Sequence, residues 1–336
     1  MIDNTLPTLS LLLIYSAMAV YAAAFVAFAL DLAGRGTRAE ARADLRAGTS
    51  RQQEQASSTD GNGPTLLAAP PRPPQQVADS GPGGRGRALR TAMALTGLGF
   101  LLHLGADVLR GVSAGRVPWA NMWEFSMTGT LIIVGVFLIV NLRSDLRFLG
   151  TFVVGLILVL LGIAAVRYYV PVVPLPPALQ SYWLVLHVLV ATLATGFFAV
   201  GFAVSGIQLL QERRAKREQA GARVRLRFLS TLPSASALDA IAYRTNIVGF
   251  ILWTFTLIAG AIWADRAWGR YWGWDTKEVW TFIIWVLYAG YLHARATLGW
   301  RGSGSAWLSL IGFSAVMFNF GIVNVFFKGL HSYSGL

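Results

Sequence analysis

Eight stretches of this chain are dominated by apolar residues over about the 20 positions that carry an α-helix across a bilayer. They fall at residues 6–31, 89–108, 123–141, 148–166, 182–210, 243–263, 277–296 and 305–327. Runs of that length leave little choice of fold. In lipid the backbone N–H and C=O groups must bond within the segment, and a helix does this. The expected class is all-α: a polytopic membrane helical bundle of about eight transmembrane helices. Charge agrees, since 13% of the 336 residues are Asp, Glu, Lys or Arg, against about a quarter in a soluble domain. The first run is longer than a signal-peptide core and no small-residue cleavage site follows it, so it reads as a retained span.

One segment breaks the pattern. Gly34 to Gly86 is rich in Arg, Ala, Pro, Gly, Ser and Gln, with "PRPPQQ" and "GPGGRGR" inside it. It has too little apolar surface to fold alone. The expected organisation is a first transmembrane helix at 1–32, a disordered cytoplasmic linker at 33–88, and a seven-helix membrane domain at 89–336. Basic residues orient it. Nine arginines lie between Arg35 and Arg90, and Arg213, Arg214, Lys216, Arg217, Arg223, Arg225 and Arg227 follow the fifth span. The positive-inside rule puts these in the cytoplasm and both termini outside. The net charge of +12 then marks a membrane face and anionic headgroups, and no nucleic acid partner is expected.

The chain has no cysteine. Disulfides, thiolate metal sites, iron–sulfur clusters and a cysteine nucleophile are excluded. Attention moves to four histidines. An ionisable group inside a span is costly, and so is a functional candidate. His187 lies just inside the outer end of the fifth span, and His331 just beyond the last. Both belong to the outer face. His293 falls in the other half of its span. His103, in "GFLLHLGADVL", fits a packing residue as well as a ligand. Two neutral imidazoles beside broad aromatic surface suit bis-histidine ligation of haem iron.

The aromatic surface is concentrated. Nine of the twelve tryptophans fall between Trp253 and Trp307, and "WGRYWGWDTKEVW" holds four in thirteen residues. An interfacial belt would spread rings over all spans, whereas a platform for one flat ligand would gather them. Asp275 and Glu278 in that stretch have capping-box spacing and begin the seventh span. Asn121 and Glu124 in "GRVPWANMWEFS" begin the third, as a cap with a first-turn acid or as a contact to a ligand or partner.

These motifs together resemble the cytochrome c assembly family with its tryptophan-rich WWD signature, in the CcsA/ResC-type branch of system II cytochrome c biogenesis. "WGRYWGWDTKEVW" looks like that family's WGxYWxWDPKExW, and "VNVFFKGLHSYSG" like its VNxxxxGLHSYG ending. "LPPALQSYWLVLHV", "LDAIAYRTNIVGF" and "GRVPWANMWEFS" also fit, so the likeness covers residues 89–336. The resemblance implies that His187 and His331 are outer axial ligands flanking the WWD loop (264–276), with Trp268, Trp272, Trp274 and Asp275 framing haem b, a transient substrate. His293 would hold haem in transit, its mate supplied by a ResB/Ccs1-type membrane protein. The implied function is haem export and covalent attachment to the Cys-x-x-Cys-His motif of apocytochrome c, within a cytochrome c synthase (haem lyase) complex of the bacterial plasma membrane. A haem transporter without ligase activity, or a b-type haem electron-transfer subunit, would use similar residues. Thr276 departs from the pattern, which has Pro there, and bears on the helix start rather than the chemistry.

Overall fold

A computed structural model of the chain describes residues 5–58, 85–175, 179–222 and 227–331. The described residues form eight long helices and no strand: α1 (Thr5–Ser58), α2 (Arg85–Ala114), α3 (Met122–Asn141), α4 (Gly150–Arg167), α5 (Tyr182–Gln219), α6 (Ala235–Trp268), α7 (Thr276–Thr297) and α8 (Ser303–Phe318). Beyond α8 the chain passes through a π-turn, Asn319–Val323, into a last helical turn, Asn324–Phe326. The all-α membrane bundle expected from the apolar runs is the observed architecture.

Two details differ from expectation. Among the described residues, seven helices are both long and apolar enough to cross a membrane, and α7 is not among them. It is long enough, at 22 residues or about 33 Å. Its hydropathy is lowered by Lys277, Glu278, His293 and Arg295, and by several Trp and Tyr residues. The other difference is that α1 runs on to Ser58, so residues 33–58 are helical where a disordered linker was expected. That half of the segment holds no proline and is rich in Ala, Arg, Glu and Gln, all good helix formers; its prolines begin at Pro64. Residues 59–84 of the expected linker lie outside the described residues, as do Arg223, Arg225 and the tail after His331.

The packing is a ring of neighbours around α5. α5 lies along α6, α3 and α8; α1 lies along α2 and α4; α7 rests on α8 and α6. The core is apolar and aromatic, with Phe137, Phe198, Tyr288 and Phe313 buried within it. Phe198 stacks on Tyr288 with ring centres 3.6 Å apart. Leu12, Leu101, Ile163, Ile251, Ile258 and Val286 face outward, as lipid-facing residues of a bundle must.

Polar groups gather at the two ends. At the end away from the tryptophan loop, Arg295 of α7 pairs with Asp239 of α6 at 2.6 Å. Ser305 of α8 donates to the same carboxylate at 2.8 Å, and Gln208 of α5 donates to the Gly302 carbonyl. These contacts tie four helices together where they leave the apolar layer. At the other end, Glu124 is wedged between Arg110 (3.0 Å) and Arg116 (2.6 Å). The two guanidiniums go on to the carbonyls of Val170 and Val173. The cluster therefore clamps α2, α3 and the chain after α4. Asn121 caps α3, its Oδ1 accepting the Glu124 N–H at 2.9 Å. For "GRVPWANMWEFS", the cap and first-turn acid describe what is seen.

Candidate functional site

The tryptophan loop is built by its own charges. Helix α6 ends at Gly269, whose φ of +69° is the left-handed conformation that glycine adopts without strain. The chain then folds back, and one carboxylate holds it. Glu278, buried on the first turn of α7, accepts from Arg270 (3.1 Å), from the Gly273 N–H (2.8 Å) and from the Asp275 N–H (3.1 Å). The last of these is the return half of the capping box with Asp275. Arg270 also lies over the Trp268 ring. Glu278, read from spacing as a cap residue, thus organises the whole loop.

Asp275 has a second task. Its carboxylate meets the Nδ1 of His331 at 2.6 Å and the His331 backbone N–H at 3.3 Å. The hydrogen bond from His331 holds the Asp275 carboxyl below the usual carboxylate range, so it is ionised at neutral pH and can only accept. The proton of the neutral imidazole is therefore on Nδ1, and Nε2 carries the free lone pair. A carboxylate behind an imidazole orients it and raises its basicity, as in metal sites generally.

His187 is prepared in the same sense by another element. Its Nδ1 lies 3.0 Å from the Thr256 carbonyl of α6. A carbonyl only accepts, so Nδ1 again holds the proton and Nε2 is free. The approach depends on Gly260. A Cβ there would stand 2.8 Å from Nδ1 and Cε1 of the imidazole, closer than such atoms pack. Gly260→Ala is expected to push the ring off its carbonyl and weaken ligand binding by about 10–100-fold, as losing an outer-shell partner does. Titrating the ligand by absorption measures this; unchanged affinity would mean the Thr256 contact does not orient the ring.

Trp263 joins the two imidazoles. Buried to 2% exposure, it stacks on His187 at 5.8 Å and meets His331 edge-on at 5.5 Å. Trp268 packs edge-on against both Trp263 and His331 at 4.8 Å. Both histidines border a cavity with about 1200 Å³ of empty space, its open mouth included, also lined by Trp272, Phe125, Gly260 and Phe320. A smaller one of about 600 Å³ shares His187 and His331 and is closed by Trp119, Asn121 and Trp263. The walls of both are mostly apolar, as in small-molecule sites generally.

Of the residues singled out in the sequence, His187, His331, Trp268, Trp272 and Asp275 come together here. Trp274 is 71% exposed, has a left-handed φ of +59° and touches the edge of Trp272; it lines neither cavity. His293 is exposed on α7, toward the opposite end of the bundle. His103 is fully buried, edge-on to Tyr21, and borders neither cavity. Three participants were not singled out: Trp263, Gly260 and Thr256. They lie at i, i+4 and i+7 on α6, one face of a helix, and that spacing was the available signal.

Among the described residues no group of three or more His, Asp or Glu could hold a bare metal ion. The site offers two oriented imidazole nitrogens and a slot with aromatic walls.

Known proteins show the family of the chain. Residues 119–331 match the family described as Cytochrome C assembly protein. The cytochrome c biogenesis protein CcsA of Guillardia theta is 34% identical over 242 residues, covering 68% of this chain and 80% of its own. The CcsA of a Synechocystis species is 35% identical over 291 residues, covering 72% and 86%. A solved structure, Cytochrome c Heme Lyase CcmF, matches with a TM-score of 0.61 at 16% identity, over 98% of this chain and 50% of that one. This chain spans half of that protein's length, and the likeness bears on the fold alone. Family match and relatives together place the chain as a multi-pass membrane protein with a role in cytochrome c maturation: it belongs to the cytochrome c assembly protein family, as a CcsA-type member.

Proposed function

We propose that this chain receives haem b as substrate and presents it, held between His187 and His331, for covalent attachment to apocytochrome c. One observation carries the reading: two imidazoles from distant parts of the chain flank Trp263, each with Nδ1 committed and Nε2 free. Two nitrogen donors leave four coordination positions unfilled, and a porphyrin fills four by itself. Its flat apolar faces suit the aromatic walls.

Attachment adds each apocytochrome thiol across a haem vinyl group. A carbon–sulfur bond forms, the thiol proton goes to the other vinyl carbon, and no electron is gained or lost. The chain contributes orientation and proximity, which lower such barriers substantially. It has no thiol of its own to compete for the vinyls. The Cys-x-x-Cys-His imidazole would displace one of the two ligands. Exposed His293 would serve as an inner ligand whose mate comes from a ResB/Ccs1-type partner. In this scheme the tryptophan loop and both termini face outward from the bacterial plasma membrane.

Reconstitution in vesicles with the partner, haem and an apocytochrome substrate tests it. Expected is holocytochrome with thioether-linked haem, resistant to acid-acetone extraction. Haem delivered across the membrane without thioether formation would favour a transporter instead.

A further inference from the structure

Lys277 has no part in the scheme above, yet it borders both cavities. Its Nζ donates to the Asn319 carbonyl at 3.0 Å and to Asn324 Oδ1 at 2.5 Å. The Asn319 carbonyl lies where α8 changes to π geometry, a local distortion that recurs at functional sites. Both partners are neutral. Among the described residues no carboxylate is within ion-pair distance of Lys277. Asp275, two residues away, is engaged by His331. An ammonium has three donors, and a charge withdrawn from water is stable only when compensated. Lys277 is therefore a buried amine in the cavity wall that no carboxylate contacts directly, a position an incoming anion would complete.

The smaller cavity is also lined by Asn121. The cap bond fixes which way its amide points, because only the oxygen can accept the Glu124 N–H. Nδ2 is left as a pure donor. It is buried, in a side chain 5% exposed, and has nothing to donate to. Buried donors without an acceptor are rare in folded proteins. One buried amine with no carboxylate in contact and one unspent donor thus border the cavity that holds both imidazoles.

We propose that Lys277 and Asn121 Nδ2 form a carboxylate subsite that receives an anionic side arm of the ligand held by His187 and His331. For a porphyrin that arm is a propionate, so the inference rests on the haem reading. Its consequence is orientation. The axial nitrogens leave the ring free to turn about the iron; pinning a propionate stops it and turns the opposite, vinyl-bearing edge away from Lys277. Lys277 is a positioning residue for thioether formation.

The test compares iron protoporphyrin IX with its dimethyl ester, each titrated by absorption into the purified full chain with its membrane partner. The unaltered protein is expected to bind the diacid roughly tenfold more tightly. Lys277→Gln should bring the ratio toward one while the bis-imidazole spectrum persists, and Lys277→Arg should keep the preference. Asn121→Asp retains an N-cap acceptor but exchanges the donor for a negative charge, and should weaken the diacid alone. Equal binding of diacid and ester by the unaltered protein would overturn the subsite without any variant. Failure of both porphyrins to bind would overturn the haem reading along with it.

Discussion

Glu124→Gln is expected to destabilise the protein by about 3–5 kcal/mol, the usual consequence of removing one member of a buried ion pair. The glutamine has the shape of the original and retains one carbonyl acceptor. What it lacks is the charge that sits between Arg110 and Arg116, two guanidiniums 2% and 9% exposed. They would be left buried together with no anion between them. The damage should spread, because the same arginines hold the carbonyls of Val170 and Val173, and the Ala120 N–H also reaches Glu124 at 3.0 Å. Thermal midpoints in detergent measure this. Glu218→Gln is the control: Glu218 pairs with Arg214 on the surface, where such pairs contribute little. Midpoints equal for the two variants would contradict the clamp. A triple change of Glu124, Arg110 and Arg116 to leucine should recover most of the loss, because apolar replacements of a whole buried cluster are often neutral.

A larger functional effect is expected at the histidines. His187→Gly and His331→Gly should each lower holocytochrome c formation by about a hundredfold or more, the scale of losing alignment at a reacting centre. Each ring makes one side-chain hydrogen bond, His187 to the Thr256 carbonyl and His331 to the Asp275 carboxylate. Their loss should leave the thermal midpoint near that of the unaltered protein. His103→Leu is the contrasting case. That histidine is enclosed among α1, α2 and α3 and borders neither cavity, so the substitution should leave attachment intact. Equal loss of activity from His103→Leu would place chemistry where the geometry puts packing.

Much of this was legible in the residues, and the reasons for what was not are physical. The spans were readable because bilayer thickness demands long apolar runs. α7 was harder, because a helix that carries cavity-lining and loop-organising side chains cannot also be uniformly apolar. Residues 34–58 looked unfoldable because they lack apolar surface; they are helical because Ala, Arg, Glu and Gln favour a helix once α1 has nucleated it. His187, His331 and Asp275 stood out because ionisable groups near lipid need a reason. Trp263, Gly260 and Thr256 did not, although they share one face of α6. A glycine and a threonine in a membrane helix are unremarked until the neighbouring helix is known to bring an imidazole against them. Trp274 shows the converse. Membership of a dense aromatic motif drew notice, but its left-handed backbone turns it to the surface.

The stretch "WGRYWGWDTKEVW" now divides by role. Glu278 folds the loop, Asp275 sets the His331 tautomer, and Trp268 backs the His331 imidazole. Trp272 and Lys277 face the cavity.

The central claim is that His187 and His331 together hold a haem. The most direct measurement is the absorption spectrum of the haem-loaded complex for His187→Gly and His331→Gly, with and without added imidazole. The expected result is loss of the low-spin bis-imidazole bands in each variant and their return when free imidazole fills the space left by the side chain. Unchanged bands in both variants, with no response to imidazole, would contradict it.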